Sequence, residues 1–204
     1  MRESRDQDKG KTSRKPRADS LRNRDLLLVA ARDVFSAGGP GASLEAVAKR
    51  AGVGIGTLYR HFPTREALFQ AVYRREVDQL VELAAKLARE EAPFEALRHW
   101  LHAQIGMVAT KKGMLAALNP VLDGSSDIYA YSQARIGQTV GDLMARASAA
   151  GVIRDDIAPE DLMRAVIGMC YTREQPGWQD TVIRLVDVFL DGLRTRQPNR
   201  AASS

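Results

Sequence analysis

Residues 43–62 read Ser43-Leu-Glu-Ala-Val-Ala-Lys-Arg-Ala-Gly-Val-Gly-Ile-Gly-Thr-Leu-Tyr-Arg-His-Phe62, and this stretch decides the fold. Leu44, Val47, Ala48 and Ala51 recur at the helical period over two turns. Ser43 stands where an N-cap belongs, and Glu45 falls near the positive end of the helix it opens. The third helical position is Ala46, so the reciprocal capping box is incomplete. Gly52-Val53-Gly54 interrupts the period, Ile55, Leu58 and Phe62 make a second short apolar face, and Pro63 stops it. Two short helices joined by a tight glycine-containing turn form a helix-turn-helix.

Upstream, Leu27, Ala30, Ala31, Val34 and Phe35 make one helical stripe, which predicts a helix over 22–37 ended by Gly38-Gly39-Pro40-Gly41. Residues 20–62 are thus expected to be three helices. With Ile55, Leu58 and Phe62 turned inward, the third helix leaves Thr57, Tyr59, Arg60 and His61 outside, beside Gly54 and Gly56. That face offers a methyl and hydroxyl for bases, donors for phosphates and little bulk where a DNA backbone must approach. It holds no carboxylate. A three-helix subdomain without a nucleic-acid role is the plainer reading of the same spacing.

The charge distribution favours nucleic acid. Residues 1–24 carry nine Lys/Arg against four acids, whereas the remaining 180 residues carry 21 of each sign, so the whole net charge of +5 sits in one terminal segment. Residues 1–19 have too few apolar groups to offset ordering entropy and are expected to be a disordered basic arm. Such an arm either gains affinity from phosphates through counterion release or is a solvated leader without a partner.

Composition narrows the classes further. With 45% hydrophobic and 27% charged residues the chain has the balance of a soluble globular protein. Its longest apolar run, Leu26 to Ala31, is far short of the ~20 residues of a membrane span. No apolar stretch of ~7–15 residues follows the basic start, so no secretory signal is expected. The single Cys170 builds neither a disulfide framework nor a thiolate zinc site. A cytoplasmic, reducing location and no membrane partner are the expectation.

Residues 43–62, with Pro63-Thr-Arg-Glu-Ala-Leu-Phe69 after them, resemble the DNA-binding domain of the TetR family of bacterial regulators. The Gly-Thr-Leu-Tyr-Arg-His-Phe core at 56–62 carries the likeness, which covers residues 20–75. Gly54 departs from the Ser often found there, and Arg65 from the more usual Lys. The resemblance implies that helix 44–51 supports and helix 55–61 reads the major groove. It places Gly54, Ile55, Gly56 and Thr57 nearest the base edges. Ser43, Tyr59, His61 and Arg65 would hold phosphates, and Arg22 or Arg24 would add a backbone contact. Tyr59 has a structural alternative, its ring packing between helices. Leu58 and Phe62 are assigned to the core.

Beyond residue 64 the apolar spacing stays helical. Leu68 to Leu87 mark a long helix reaching about Glu90, and Phe94, Leu97, Leu101, Ile105 and Val108 mark the next. Gly113 and Asn119-Pro120 bound a short one. Further helices follow around Ile136–Ala147, after Pro159, and over Val182–Leu193. The expected architecture is all-α with about nine helices: a DNA-binding domain over 20–66, a larger body over 67–196 and a tail over 197–204.

The resemblance implies that this body binds a small effector and dimerises. A homodimer matches a palindromic operator in double-stranded DNA, with half-sites about one helical turn apart. The stripe of Val166, Met169, Val182, Leu185, Val186, Phe189 and Leu193 is expected to serve the interface, with the core of one chain as its alternative. Candidate pocket residues are Trp100, Gln104, Met107, Met114, Leu118 and Leu122 from the middle of the chain. Tyr129, Tyr131, Ser132, Ile136, Met163, Ile167 and Cys170 complete the set. Their apolar character predicts a neutral or weakly polar, hydrophobic effector.

Enzyme readings have little support. Glu95, His99 and His102 share a helix face, but surface pairing explains them better than a metal, and no Ser-His-Asp constellation, phosphate loop or zinc motif occurs. Cys170 reads as a small buried hydrophobe. Neither a cofactor nor a metal is expected. The leading reading is a ligand-responsive repressor. By the resemblance, its effector would shift the long fourth helix and so change the spacing of the two reading helices. A regulator of the same fold that activates, or needs no small molecule, is the alternative.

Overall fold

A computed structural model describes residues 14–38, 41–118, 127–172 and 176–195. Eight helices run in order: α1 (Arg14–Ala37), α2 (Leu44–Arg50), α3 (Ile55–His61), α4 (Arg65–Glu90), α5 (Pro93–Leu118), α6 (Asp127–Ala149), α7 (Pro159–Cys170) and α8 (Trp178–Leu193). No strand occurs among the described residues, only an isolated antiparallel bridge between Ile153 and Arg194. That bridge ties the α6–α7 turn to the end of α8.

The helix boundaries follow from local chemistry. Ser43 caps α2 by accepting from the Ala46 amide at 3.2 Å, and Thr64 caps α4 by accepting from Ala67 at 3.1 Å. Gly52 ends α2 at φ +69°, a left-handed conformation that favours glycine, and lets the Val53 amide reach back to the Ala48 carbonyl at 3.0 Å. Proline opens α5 and α7, where its missing N–H costs nothing.

α1 begins at Arg14, eight residues ahead of its expected start, so the last part of the supposed arm is helical. Residues 1–13 lie outside the described residues. Helix α4 spans about 39 Å at ~1.5 Å per residue, and it runs unbroken across the expected domain boundary at 66–67. The three N-terminal helices share one contiguous apolar core with the body, from Leu27, Phe35 and Leu58 through Val72 and Trp100 to Val186.

Gly113 does not end a helix. α5 continues through it to Leu118, which merges two expected helices into one and lowers the count from about nine to eight among the described residues. The reason is tertiary: at Gly113 the α1 backbone crosses so close that a side chain has no room. A β-carbon there would lie 1.8 Å from the Phe35 carbonyl oxygen. Asn119-Pro120, the other expected boundary, lies outside the described residues.

Candidate nucleic-acid interface

α3 is anchored by two side chains. Leu58 and Phe62 are buried beneath it, against Leu44, Val47 and Ala48 of α2 and Leu27, Ala31 and Phe35 of α1. The guanidinium of Arg50 grips Asp33 Oδ2 through Nη2 at 2.6 Å and Nε at 3.0 Å, locking α2 onto α1. α3 is therefore held fast to α1 and α2.

Everything else on α3 faces outward or sits at its edge. Tyr59 is 45% exposed, so its ring does not pack between helices. Gly54, Gly56 and Arg60 are exposed, while Thr57 and His61 are half-buried. A β-carbon at Gly54 or Gly56 would meet nothing within 4 Å, so these positions leave open space on the surface. Arg60 donates through Nη2 to Thr57 Oγ1 at 3.3 Å, which holds the two side chains together. Ile55 departs from the inward face expected of it and is 38% exposed. As the first residue of a seven-residue helix it projects past the core that Leu58 and Phe62 reach.

The basic residues around α3 divide. Arg22 and Arg24 are exposed on α1, and the Arg24 guanidinium lies 5.3 Å from the Phe62 ring centre, at the end of α3. Ser43 spends its hydroxyl oxygen on the α2 cap and keeps its O–H to donate. Arg65 turns away: its Nη1 donates to the Leu118 carbonyl at 3.0 Å, a cation on the last turn of α5. The expected phosphate ligand is engaged as a strut between the start of α4 and the end of α5.

In the body, most of the expected pocket residues are buried. Trp100, Met114, Leu118 and Cys170 are almost wholly buried, and Met107, Ile136 and Met163 are buried with them. The Trp100 Nε1 donates to the Leu80 carbonyl at 2.9 Å, fastening α5 to α4. Burial pushes the Cys170 thiol up to about 11, so it stays protonated near neutrality. Gln104 and Ser132 are buried polar groups, and Tyr129 is half-buried. Tyr131 donates to Asp78 Oδ1 at 2.6 Å on the surface. Ile167 points outward instead, and Leu122 lies outside the described residues. A cleft of about 370 Å³ lies elsewhere, lined by the end of α1, by Lys112 and Gly113 of α5 and by Trp178 of α8. Lys111 and Tyr73, absent from the expected set, stand beside Tyr129. The paired Lys111 and Lys112 inside a largely apolar helix were the signal for Lys111.

The expected dimer stripe also divides. Val166, Val182, Val186 and Leu193 are buried within one chain, and Met169 and Phe189 are half-buried. Leu185 is exposed, and with it Ile167, Tyr171 and Val188, the last 71% accessible. α7 and α8 thus have an inner apolar face filled by the core and an outer one left open.

His99 and His102 pair with separate carboxylates, Nδ1 of His99 with Glu91 at 2.7 Å and Nε2 of His102 with Asp187 at 2.7 Å. Glu95 pairs with Arg98 at 2.5 Å. The three do not converge on one point. No described helix is long and apolar enough to cross a membrane.

Comparison with known proteins agrees with this layout. The family model for bacterial regulatory proteins of the tetR family matches residues 27–72, and that for the C-terminal domain of SbtR-like transcriptional regulators matches residues 92–195. The crystal structure of a TetR transcriptional regulator from Streptomyces coelicolor is 44% identical, with a TM-score of 0.74 over 85% of this chain and 99% of that one. A TetR regulatory protein from Mycobacterium vanbaalenii is 36% identical, with a TM-score of 0.65 over 88% of this chain and 99% of that one. An HTH-type transcriptional regulator of Staphylococcus aureus is 38% identical over 72 residues, which span 34% of this chain and 38% of that protein's length.

Proposed function

The chain belongs to the TetR family of bacterial transcriptional regulators, and from that membership we propose that it acts as a dimeric repressor released from a palindromic operator by a small, largely apolar effector. One observation carries the DNA-reading part. α3 presents Gly54, Ile55, Gly56, Thr57, Tyr59 and Arg60 on an outward face with no carboxylate, on a helix pinned from below by Leu58 and Phe62. Glycines at the helix start let a DNA backbone or base edge come close, and Thr57 offers a methyl and a hydroxyl where bases are read. Tyr59 and Arg60 supply donors to phosphates, and Ser43, Arg22 and Arg24 add others from the flanks. His61, at the edge of the same face, is a further phosphate ligand in this reading.

Dimerisation rests on the outer apolar face of α7 and α8. Ile167, Tyr171, Leu185 and Val188 are large apolar groups exposed together on the last two helices. Pairing that face with its own copy about a twofold axis buries it and places two α3 helices for two half-sites. Arg65 and Gly113 supply the coupling: the first joins α4 to the end of α5, the second joins α1 to α5. A displacement of α5 by an effector moves both of these contacts, which shifts the balance between DNA-competent and incompetent spacings.

The test is fluorescence anisotropy of the purified protein on DNA from its own upstream region, with scrambled competitor, at two salt concentrations. Tight binding that survives the competitor and weakens steeply with salt supports the reading. Absence of binding to either DNA overturns it.

A further inference from the structure

Lys111 of α5 stands at the junction of α4, α5 and α6 without a counter-charge among the described residues. Its Nζ lies 5.4 Å from the Tyr73 ring centre and 4.9 Å from the Tyr129 ring centre. The two rings meet edge-on with centres 6.0 Å apart, and Tyr73 stacks in turn on Phe69 at 5.7 Å. The ammonium is half-buried, and among the described residues it has neither a hydrogen bond nor an ion pair. Burial lowers its pKa, and no neighbouring carboxylate opposes the shift. Aromatic faces attract the charge, yet its three N–H donors lack oxygen acceptors among the described residues.

Two turns earlier Gln104 lies on the same side of α5, since residues seven apart share a helix face about 10.5 Å along the axis. It is 2% exposed, and its Oε1 has no hydrogen-bond partner among the described residues. An unsatisfied buried polar atom costs free energy, so its retention calls for a reason. The Trp100–Leu80 bond at one end and the Lys111–Tyr73 contact at the other hold this face of α5 against α4. Ser132 of α6 reaches the same tyrosine.

We propose that Lys111 is the charge-recognition residue of the effector site, which takes an organic anion with an aromatic or aliphatic body. The carboxylate, sulfonate or phosphate of that ligand accepts from Lys111 Nζ beside the Tyr73 and Tyr129 rings, with Gln104 farther along the same face of α5. This rests on the reading of the body as effector-responsive, and it adds a charged head to the apolar ligand expected there. A lysine that merely extends its stem past the core to reach water would have no preference among ligands.

The experiment uses two fluorescent probes of matched body on the full chain: 8-anilinonaphthalene-1-sulfonate, an anion, and N-phenyl-1-naphthylamine, its neutral counterpart. Wild type is expected to favour the anion by about tenfold, the scale of one charge-assisted hydrogen bond. Lys111→Met should abolish that preference and keep the neutral probe's affinity. Lys111→Arg should restore the preference, and Lys86→Met, at an exposed lysine of α4, should leave it intact. Equal binding of both probes by wild type, or an undiminished preference in Lys111→Met, overturns the assignment. Should Lys111→Met fail to fold by circular dichroism, displacement of the bound sulfonate from wild type decides. Release by octanoate but not by 1-octanol supports the site, and equal release overturns it. Anisotropy on DNA in the same samples separates the two failures: loss of all DNA binding by wild type overturns the regulator reading, while the probe ratio alone judges Lys111.

Discussion

The α-carbon of Gly113 faces the carbonyl oxygen of Phe35 so closely that a β-carbon on it would lie 1.8 Å from that oxygen and 2.8 Å from the carbonyl carbon. Both obstacles are backbone, so no side-chain rotation relieves them. Gly113→Ala is expected to push α1 off α5 and to destabilise the fold by about 1–3 kcal/mol or more, the range for overpacking. Gly106, seven residues earlier on the same helix, meets nothing within 4 Å. Gly106→Ala is therefore expected to be neutral or to raise stability by up to ~1 kcal/mol through helix propensity. Thermal melts of both variants check the contrast. Equal effects would show that the crossing is looser than described.

The bonded pair of Arg60 and Thr57 separates affinity from sequence preference. Arg60→Ala should weaken binding to operator and scrambled DNA alike and lower the salt slope by about one phosphate contact. Thr57→Ala removes the acceptor of the 3.3 Å bond together with the methyl offered to bases, so the preferred sequence should change. Salt titrations and a competition against randomised operators read the two effects. The reading of α3 fails if both variants keep wild-type affinity and preference.

The outer face of α8 predicts a monomerising substitution. Val188 is 71% exposed in the single chain, so Val188→Asp should change the stability of that chain by less than about 0.5 kcal/mol. Buried against a second copy, the same carboxylate would be unpaired and costly. Light scattering after gel filtration is expected to show a wild-type dimer and a variant of half its mass. A dimer that persists in the variant would place the interface on another surface.

Glu76 gives stability a pH dependence of known sign. It is buried on α4 beneath Arg32, whose Nε lies 3.2 Å from Oε1, and burial raises its pKa above the ordinary 4.5 despite the arginines. The folded chain then holds this proton to higher pH than the unfolded chain does. Between those two values folding takes up a proton, so stability falls as pH rises through the window. Glu76→Gln removes the titration and should flatten the part of the Tm profile that falls above pH 4.5. Parallel profiles for variant and wild type would show that Glu76 is not responsible.

The helix-turn-helix was legible because its determinants are local. A cap at Ser43, a left-handed Gly52 and an apolar residue at each turn of a short helix act within a few residues of chain, as they would in any context. The outward set on α3 followed from which residues were left once Leu58 and Phe62 were buried. Ile55 escaped that reasoning because one residue at a helix end has too few neighbours to hold it down. The bond that Arg65 makes was not legible for a different reason. Its partner, the Leu118 carbonyl, lies 53 residues away, and a flexible arginine follows whichever acceptor the fold brings near.

From its sequence the chain was legible as all-helical, with three N-terminal helices and, Ile55 apart, the residues α3 shows to solvent, since each depends on spacing and turn chemistry within one or two turns. The tertiary structure alone decided how α7 and α8 divide their two apolar faces between core and surface. Val186 and Val188 are equally apolar, and periodicity does not say which of them meets a neighbouring helix. It decided that Gly113 is a crossing point and not a helix end, and that Lys111 lies against two tyrosines of other helices with no counter-ion among the described residues. These are properties of pairs of helices distant in the chain, and their energies arise only when packing brings the pairs together.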